Sequence, residues 1–142
     1  MKFQNISLFF LFAISINCFG QDTNMEKKDV AKGEMMVRIA ELEIDPNAIN
    51  EYLNILKEEA EASVRLEPGV ICIYPMYQKE NPTQIRLLEI YANKAAYESH
   101  LQTSHFKKYK TSTLAMVKDL KLIDMQAIDP ESMAIIFNKL KQ

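Results

Sequence analysis

EPGVICIYPMYQKENPTQIRLLEIY, residues 67–91, decides the fold. Glu67-Pro68-Gly69 is a turn, and Val70 to Gln78 is rich in the β-branched and aromatic residues of a strand. Asn81-Pro82 interrupts the run, and Ile85 to Tyr91 reads as a further strand. Two strands joined by so short a connection pair antiparallel. In the later one, Leu87, Glu89 and Tyr91 share a face by the two-residue period, and a carboxylate in an otherwise apolar strand is costly unless it has a partner.

Toward the N-terminus, Asp45-Pro46 reads as an N-cap followed by proline at the first helical position. Ile49, Leu53, Leu56 and Ala60 recur at helical spacing opposite Glu51, Asn54, Glu58 and Glu61, which predicts a helix to about Leu66. Before it, Met35 to Ile44 carries apolar residues on both faces and reads as a strand buried on both sides. Toward the C-terminus, Asn93 caps a helix from Lys94 to about Gln102, and Ser104 caps another from His105 to about Lys118. Leu120 to Ile128 alternates as a fourth strand. Asp129-Pro130 repeats the cap-and-proline signal before Met133, Ile136, Phe137 and Leu140, one face of a last amphipathic helix that must lie on something.

The order strand, helix, strand, strand, helix, strand is that of an α+β, ferredoxin-like βαββαβ sandwich, with helices on one face of the sheet. Several strands are nevertheless apolar on both faces. The economical cover for the bare face is the same face of a second copy, giving a two-fold homodimer.

Composition narrows the function. The chain has 142 residues, 17 Lys+Arg against 19 Asp+Glu and 48% hydrophobic residues, the profile of one globular domain. A net charge of −2 provides no basic stripe, and neither a zinc-finger spacing nor an RNP-like motif is present, so nucleic acid is not expected as a partner. Residues 1–20, with Lys2, an apolar run from Ile6 to Ile16 and Cys18-Phe19-Gly20, read as a secretory signal peptide cut after Gly20. The run falls short of the roughly 20 apolar residues of a membrane span. A lipid anchor on Cys18 is the rival reading. Residues 21–33 form a polar tether, 34–128 the domain and 129–142 the terminal helix, and the mature chain is expected to be exported, periplasmic or secreted. Cys72 is then the sole thiol, in a strand, and no intramolecular disulfide can form.

Arg38-Ile-Ala-Glu-Leu-Glu-Ile-Asp-Pro46, Glu67-Pro-Gly-Val70, Leu88-Glu-Ile-Tyr91 and His100-Leu-Gln-Thr-Ser-His-Phe106, followed by Tyr109, resemble the antibiotic biosynthesis monooxygenase (ABM) domain, in particular its quinol monooxygenase branch. The similarity covers about Met36 to Ile128. It implies a dimeric α+β barrel and oxidation of quinols or polyketide aromatics by O2 with no metal, flavin or other cofactor. Relatives on this fold also degrade haem, or isomerise or degrade a phosphorylated autoinducer sugar, and the fold does not choose among them.

Ground-state O2 is a triplet, whereas a quinol deprotonated to its anion can pass it one electron. Such an oxygenase needs a base, groups that stabilise the anion and a dry apolar pocket. His105, in the first turn of a helix whose dipole disfavours the protonated form, is the expected base; its bland reading is a residue completing the cap. Tyr109, four residues on, shares its face and orients a ring oxygen, or packs half-buried. His100 lies about 140° away around a continuous helix and joins the site only if the chain breaks at Thr103-Ser104. Glu89 is either the partner of His105, His100 or substrate, or an ion-pair partner of Arg38 or Arg86. Tyr91 matches the position where the family lines its pocket with a large aromatic, ahead of Tyr74 and Tyr77; Arg38, Tyr74 and His100 complete the substrate-binding candidates.

Ala40 stands where some oxygenases of this fold carry an Asn, and the chain has no Trp, which removes the arrangement associated with haem degradation. Two histidines without a carboxylate at ligand spacing predict no metal site. The resulting expectation is a cofactor-independent monooxygenase acting with O2 on a quinol, quinone-like or other small aromatic molecule. Two functions stay open beside it, an isomerase or lyase on a small carbonyl compound and a non-catalytic dimer that binds a small ligand.

Overall fold

The computed structural model describes residues 35–141. The signal peptide, the tether and Cys18 lie outside the described residues. The elements are β1 (Met36–Ile44), α1 (Ile49–Leu66), β2 (Val70–Tyr77), β3 (Gln84–Tyr91), α2 (Lys94–His100), α3 (Ser104–Thr113), β4 (Val117–Met125) and α4 (Ser132–Lys139). The strands form one antiparallel sheet in the order β2-β3-β1-β4. This is the ferredoxin-like arrangement expected from the element order.

Register sorts the side chains by face. Arg38 stands opposite Glu89, Ala40 opposite Leu87 and Leu42 opposite Ile85, so these residues share the helix-covered side. Ala40, Leu42, Ile44, Ile73, Ile85, Leu87 and Tyr91 pack there against Tyr52, Leu56 and Ala60 of α1 to form the core. The opposite face is also apolar: Ile39 pairs with Leu88 and Ile123, Val37 with Ile90 and Met125, and Tyr74 with Leu88. Tyr74, Met76 and Met125 on that side are exposed.

Several boundaries differ from the sequence reading, each for a local reason. The Asp45 carboxylate accepts from the backbone N–H of Asn47 at 2.8 Å and from its Nδ2 at 3.0 Å, closing an Asx turn rather than capping a helix. Pro46 therefore lies in the turn, and α1 starts at Ile49 after Ala48. Thr103, not Ser104, caps α3: its backbone is extended, and its hydroxyl accepts from the Phe106 N–H at 3.3 Å. The helix ends at Thr113, five residues early, where Thr113 Oγ1 donates to the Tyr109 carbonyl and Met116 N–H to the Thr113 carbonyl. The strand that follows accordingly starts at Val117 and stops at Met125. Asn93 caps α2 as expected, accepting from the Ala96 N–H at 2.9 Å.

The terminal helix is present as expected. Met133 of α4 is half-buried, but Ile136, Phe137 and Leu140 are exposed, so within one copy the apolar face is not laid on the domain.

Candidate functional site

A cavity of about 290 Å³ opens between the helix-covered face of the sheet and α1, α2 and α3. Its walls are apolar where β1, β2, β3 and β4 contribute Ala40, Leu42, Ile73, Leu87, Leu120 and Leu122. The last two remain half-exposed because β4 is an edge strand and lies at the rim. The polar lining is confined to a few groups: Arg38 from β1, Glu59 from α1, Glu89 and Tyr91 from β3, Tyr97 and His100 from α2, and Tyr109, Lys110 and Thr113 from α3. An apolar pocket with few convergent polar groups is the usual form of a small-molecule site.

Of the residues singled out in the sequence, Arg38, Glu89, Tyr91, His100 and Tyr109 line this cavity. His105 and Tyr74 do not. Tyr74 projects from the other face of the sheet, opposite Leu88, and is 60% exposed. His105 stands behind His100, with ring centroids 6.4 Å apart. The two histidines come together because α2 ends at His100 and α3 begins at Ser104, the break on which their pairing depended.

His100 is 3% exposed and is held from two sides. Its Nδ1 lies 3.0 Å from Glu67 Oε1, and its Nε2 lies 3.7 Å from Oε1 of the cavity-lining Glu59. His105 Nε2 is 2.6 Å from the same oxygen of Glu67. Glu67 sits in the turn after α1, so a residue 33 positions before His100 supplies the carboxylate. An imidazole whose Nδ1–H donates to a carboxylate keeps a lone pair on Nε2, the arrangement of an oriented general base. Burial alone would raise the Glu67 carboxyl; the hydrogen bonds from His100 and His105 outweigh it and hold the group below the usual carboxylate range.

Two further carboxyls sit in the cavity. Burial pushes Glu89 up to about 7 from its ordinary 4.5, against the pull of Arg38 and a 3.3 Å hydrogen bond donated by the Tyr91 hydroxyl. Burial also raises Glu59, although Ser63 Oγ donates to it at 2.7 Å. The partners expected for Glu89 lie elsewhere. The guanidinium of Arg38 bonds Asp124 at 2.6 Å and stacks 4.7 Å over the Tyr97 ring, while Arg86 pairs with Glu41 across the opposite face. Each arginine has a carboxylate at its own register neighbour, which leaves Glu89 to Tyr91.

Tyr109 lines the cavity, but its hydroxyl is bonded to that of the buried Tyr52 at 2.7 Å, and burial pushes it up to about 12. Glu59, Glu67, Tyr97 and Phe106 were not singled out as site residues in the sequence. A signal for Glu59 existed: Tyr52, Leu56, Glu59 and Ser63 follow helical spacing along the buried stripe of α1, so a carboxylate occupied a core position. Glu67 carried no such signal, since Glu-Pro-Gly is already explained by the turn.

The sequence profile described as antibiotic biosynthesis monooxygenase matches residues 35–112. A solved structure from Bacteroides thetaiotaomicron, of a protein provisionally named an antibiotic biosynthesis monooxygenase, is 50% identical. It aligns over 70% of this chain and 94% of that one, with a TM-score of 0.69. A protein from Lactobacillus acidophilus, provisionally named a monooxygenase, is 27% identical over 66% of this chain and 44% of its own, with a TM-score of 0.64. A Nitrosomonas europaea protein of the same provisional name as the first shares the fold at 19% identity and a TM-score of 0.64, over 68% of this chain and 93% of its own. No curated protein matches the chain.

Proposed function

This chain belongs to the antibiotic biosynthesis monooxygenase family, and we propose that it is a cofactor-independent monooxygenase that oxidises a quinol or small aromatic with O2. The observation that carries this reading is the buried His100, bonded through Nδ1 to Glu67 while Nε2 is left on the side of the cavity. His100 thus takes the role of base for which the sequence favoured His105. It removes a phenolic proton; the anion gives one electron to O2, the radical pair recombines to a ring peroxide anion, and the proton held on His100 returns to it to give a hydroperoxide. Loss of water then leaves one oxygen atom on the ring. The apolar walls exclude water from the anion, and Tyr91 and Tyr109 orient the ring oxygens. Because Asp124 already neutralises Arg38, the cavity suits a neutral phenolic substrate better than an anionic one.

A second reading rests on Glu89. A carboxyl near 7 in the same cavity as an oriented imidazole can move a proton between carbons of a small carbonyl compound without O2, as an isomerase or lyase requires. Two further proposals concern the whole chain. It assembles as a homodimer through the bare sheet face, whose apolar residues a second copy would cover. It is exported after cleavage near Gly20, a reading supported by the charge and apolar run of residues 1–20.

The deciding experiment measures O2 uptake with a panel of hydroquinones and naphthoquinols, alongside His100→Ala and His105→Ala. Uptake above autoxidation is expected, falling by roughly 10²–10⁴ in His100→Ala and by far less in His105→Ala. Uptake that survives loss of His100 would overturn the assignment of the base. Turnover of a carbonyl substrate without O2 would favour the isomerase reading.

A further inference from the structure

We infer that Glu67, His100 and His105 form a binding site for one divalent transition-metal ion of the zinc class. The sequence held two histidines and no carboxylate at ligand spacing; the fold brings the carboxylate to them from the turn after α1. Glu67, His100 and His105 each offer one donor atom, all within 4.8 Å of one another, the only such group of three or more among the described residues. Donors bound to one zinc ion each stand about 2.0–2.2 Å from it and so roughly 3.4 Å from one another. His100 Nδ1 is 3.0 Å and His105 Nε2 2.6 Å from Glu67 Oε1, so a small withdrawal of the His105 ring from that oxygen makes room for the ion among the three. Two imidazole nitrogens and one carboxylate suit zinc, cobalt or iron(II) rather than calcium or magnesium, which take oxygen shells.

A second feature fits the same chemistry. A metal-bound histidine ordinarily donates its other ring N–H to a carboxylate, which fixes the ring and strengthens the ligand. Glu59 Oε1 lies 3.7 Å from His100 Nε2, on the side away from Glu67, where such a partner belongs. Access is provided at the other end: the His105 side chain is 20% exposed, whereas that of His100 is 3%. An ion therefore arrives past His105 without crossing the cavity, and three protein ligands leave coordination positions for water.

The consequence for the reaction rests on the reading of His100 as the base; the site itself does not. Without an ion, Nδ1–H donates to Glu67 and Nε2 carries the lone pair. With an ion on Nδ1, the ring proton moves to Nε2, which becomes a donor toward Glu59 and the cavity. The cation is thus an inhibitor of proton abstraction.

The test is titration of the full chain, carried without a histidine tag, with Co(II) followed by its visible absorption and with Zn(II) in competition. One equivalent of Co(II) should bind with a Kd in the micromolar range or tighter, and Zn(II) should displace it. His105→Ala, a change at the partly exposed ligand, and Glu67→Gln should each weaken binding at least tenfold, with the fold of each variant verified by circular dichroism. Absence of saturable binding up to 1 mM Co(II), or equal affinity in His105→Ala, overturns the site. Inhibition of O2 uptake by stoichiometric Zn(II) in the wild type supports the consequence for His100. If Co(II) binds as expected and no quinol is oxidised by the ion-free protein, the site stands and the oxygenase reading fails instead.

Discussion

Glu89 reaches the cavity from β3 with a tyrosine hydroxyl as its hydrogen-bond partner, and burial raises it to about 7. The folded chain then holds this proton over a range in which the unfolded chain has released it. Stability from this group is therefore full below about 4.5 and declines as pH rises from there through about 7. The shift corresponds to about 3 kcal/mol. Glu89→Gln should leave denaturant stability near pH 4.5 little changed and raise it at pH 8 by an amount approaching that figure. Equal effects at both pH values would show that Glu89 is not held protonated. Activity tells the second role: if Glu89 moves the proton in an isomerisation, the same variant abolishes turnover, whereas an oxygenase based on His100 retains part of it. The sequence marked Glu89 as unusual because an isolated carboxylate in an apolar strand is visible from its neighbours. Its missing ion pair was not visible, because that depends on Asp124 and Glu41 reaching the two arginines first.

At the scale of elements, Gly69 sets how α2 meets the turn that carries Glu67. A Cβ placed there would stand 2.5 Å from the Cβ of Ala96, and the Gly69 carbonyl accepts from the Ala92 N–H at 2.8 Å just before the helix. Neither partner is a flexible side chain, so backbone must move. Gly69→Ala should cost about 1–3 kcal/mol in chemical denaturation. The penalty should shrink in an Ala96→Gly background, where the opposing methyl is gone; an unchanged penalty would reject the contact as its cause. Because α2 ends on His100, the same substitution shifts the imidazole relative to Glu67. Turns, strand periods and the Asn93 cap were legible here, since each is decided within about four residues. The start of α1 was misread because Asp45 bonds Asn47 and makes an Asx turn, and Asp-Pro announces a turn and a cap in the same letters.

The whole molecule carries one apolar sheet face beyond what its own helices cover, centred on the Ile39–Leu88 pair and extending to Tyr74, Ile123 and Met125. A second copy presenting the same face would bury it, and the exposed Ile136 and Phe137 of α4, with Leu140 just after it, offer additional apolar contact to that copy. The double variant Ile39→Asp, Leu88→Asp should convert a dimer into a monomer in sedimentation while retaining the far-ultraviolet dichroism of the wild type. A wild-type chain that sediments as a monomer would refute the dimer outright. The helix-covered face is untouched by these substitutions, so loss of activity in the monomer would report on assembly rather than on the cavity lining.

The sequence by itself determined the kinds of elements, their order and hence the ferredoxin-like sheet, because hydrophobic period, caps and turn residues act over neighbouring positions. It also marked five of the side chains that line the cavity, Arg38, Glu89, Tyr91, His100 and Tyr109. Which histidine faces that cavity, and which carboxylate holds it, was decided only by the tertiary structure. Glu67 lies 33 and 38 residues before His100 and His105, and no local period links them. Their meeting follows from where the end of α1 and the break between α2 and α3 come together above the sheet.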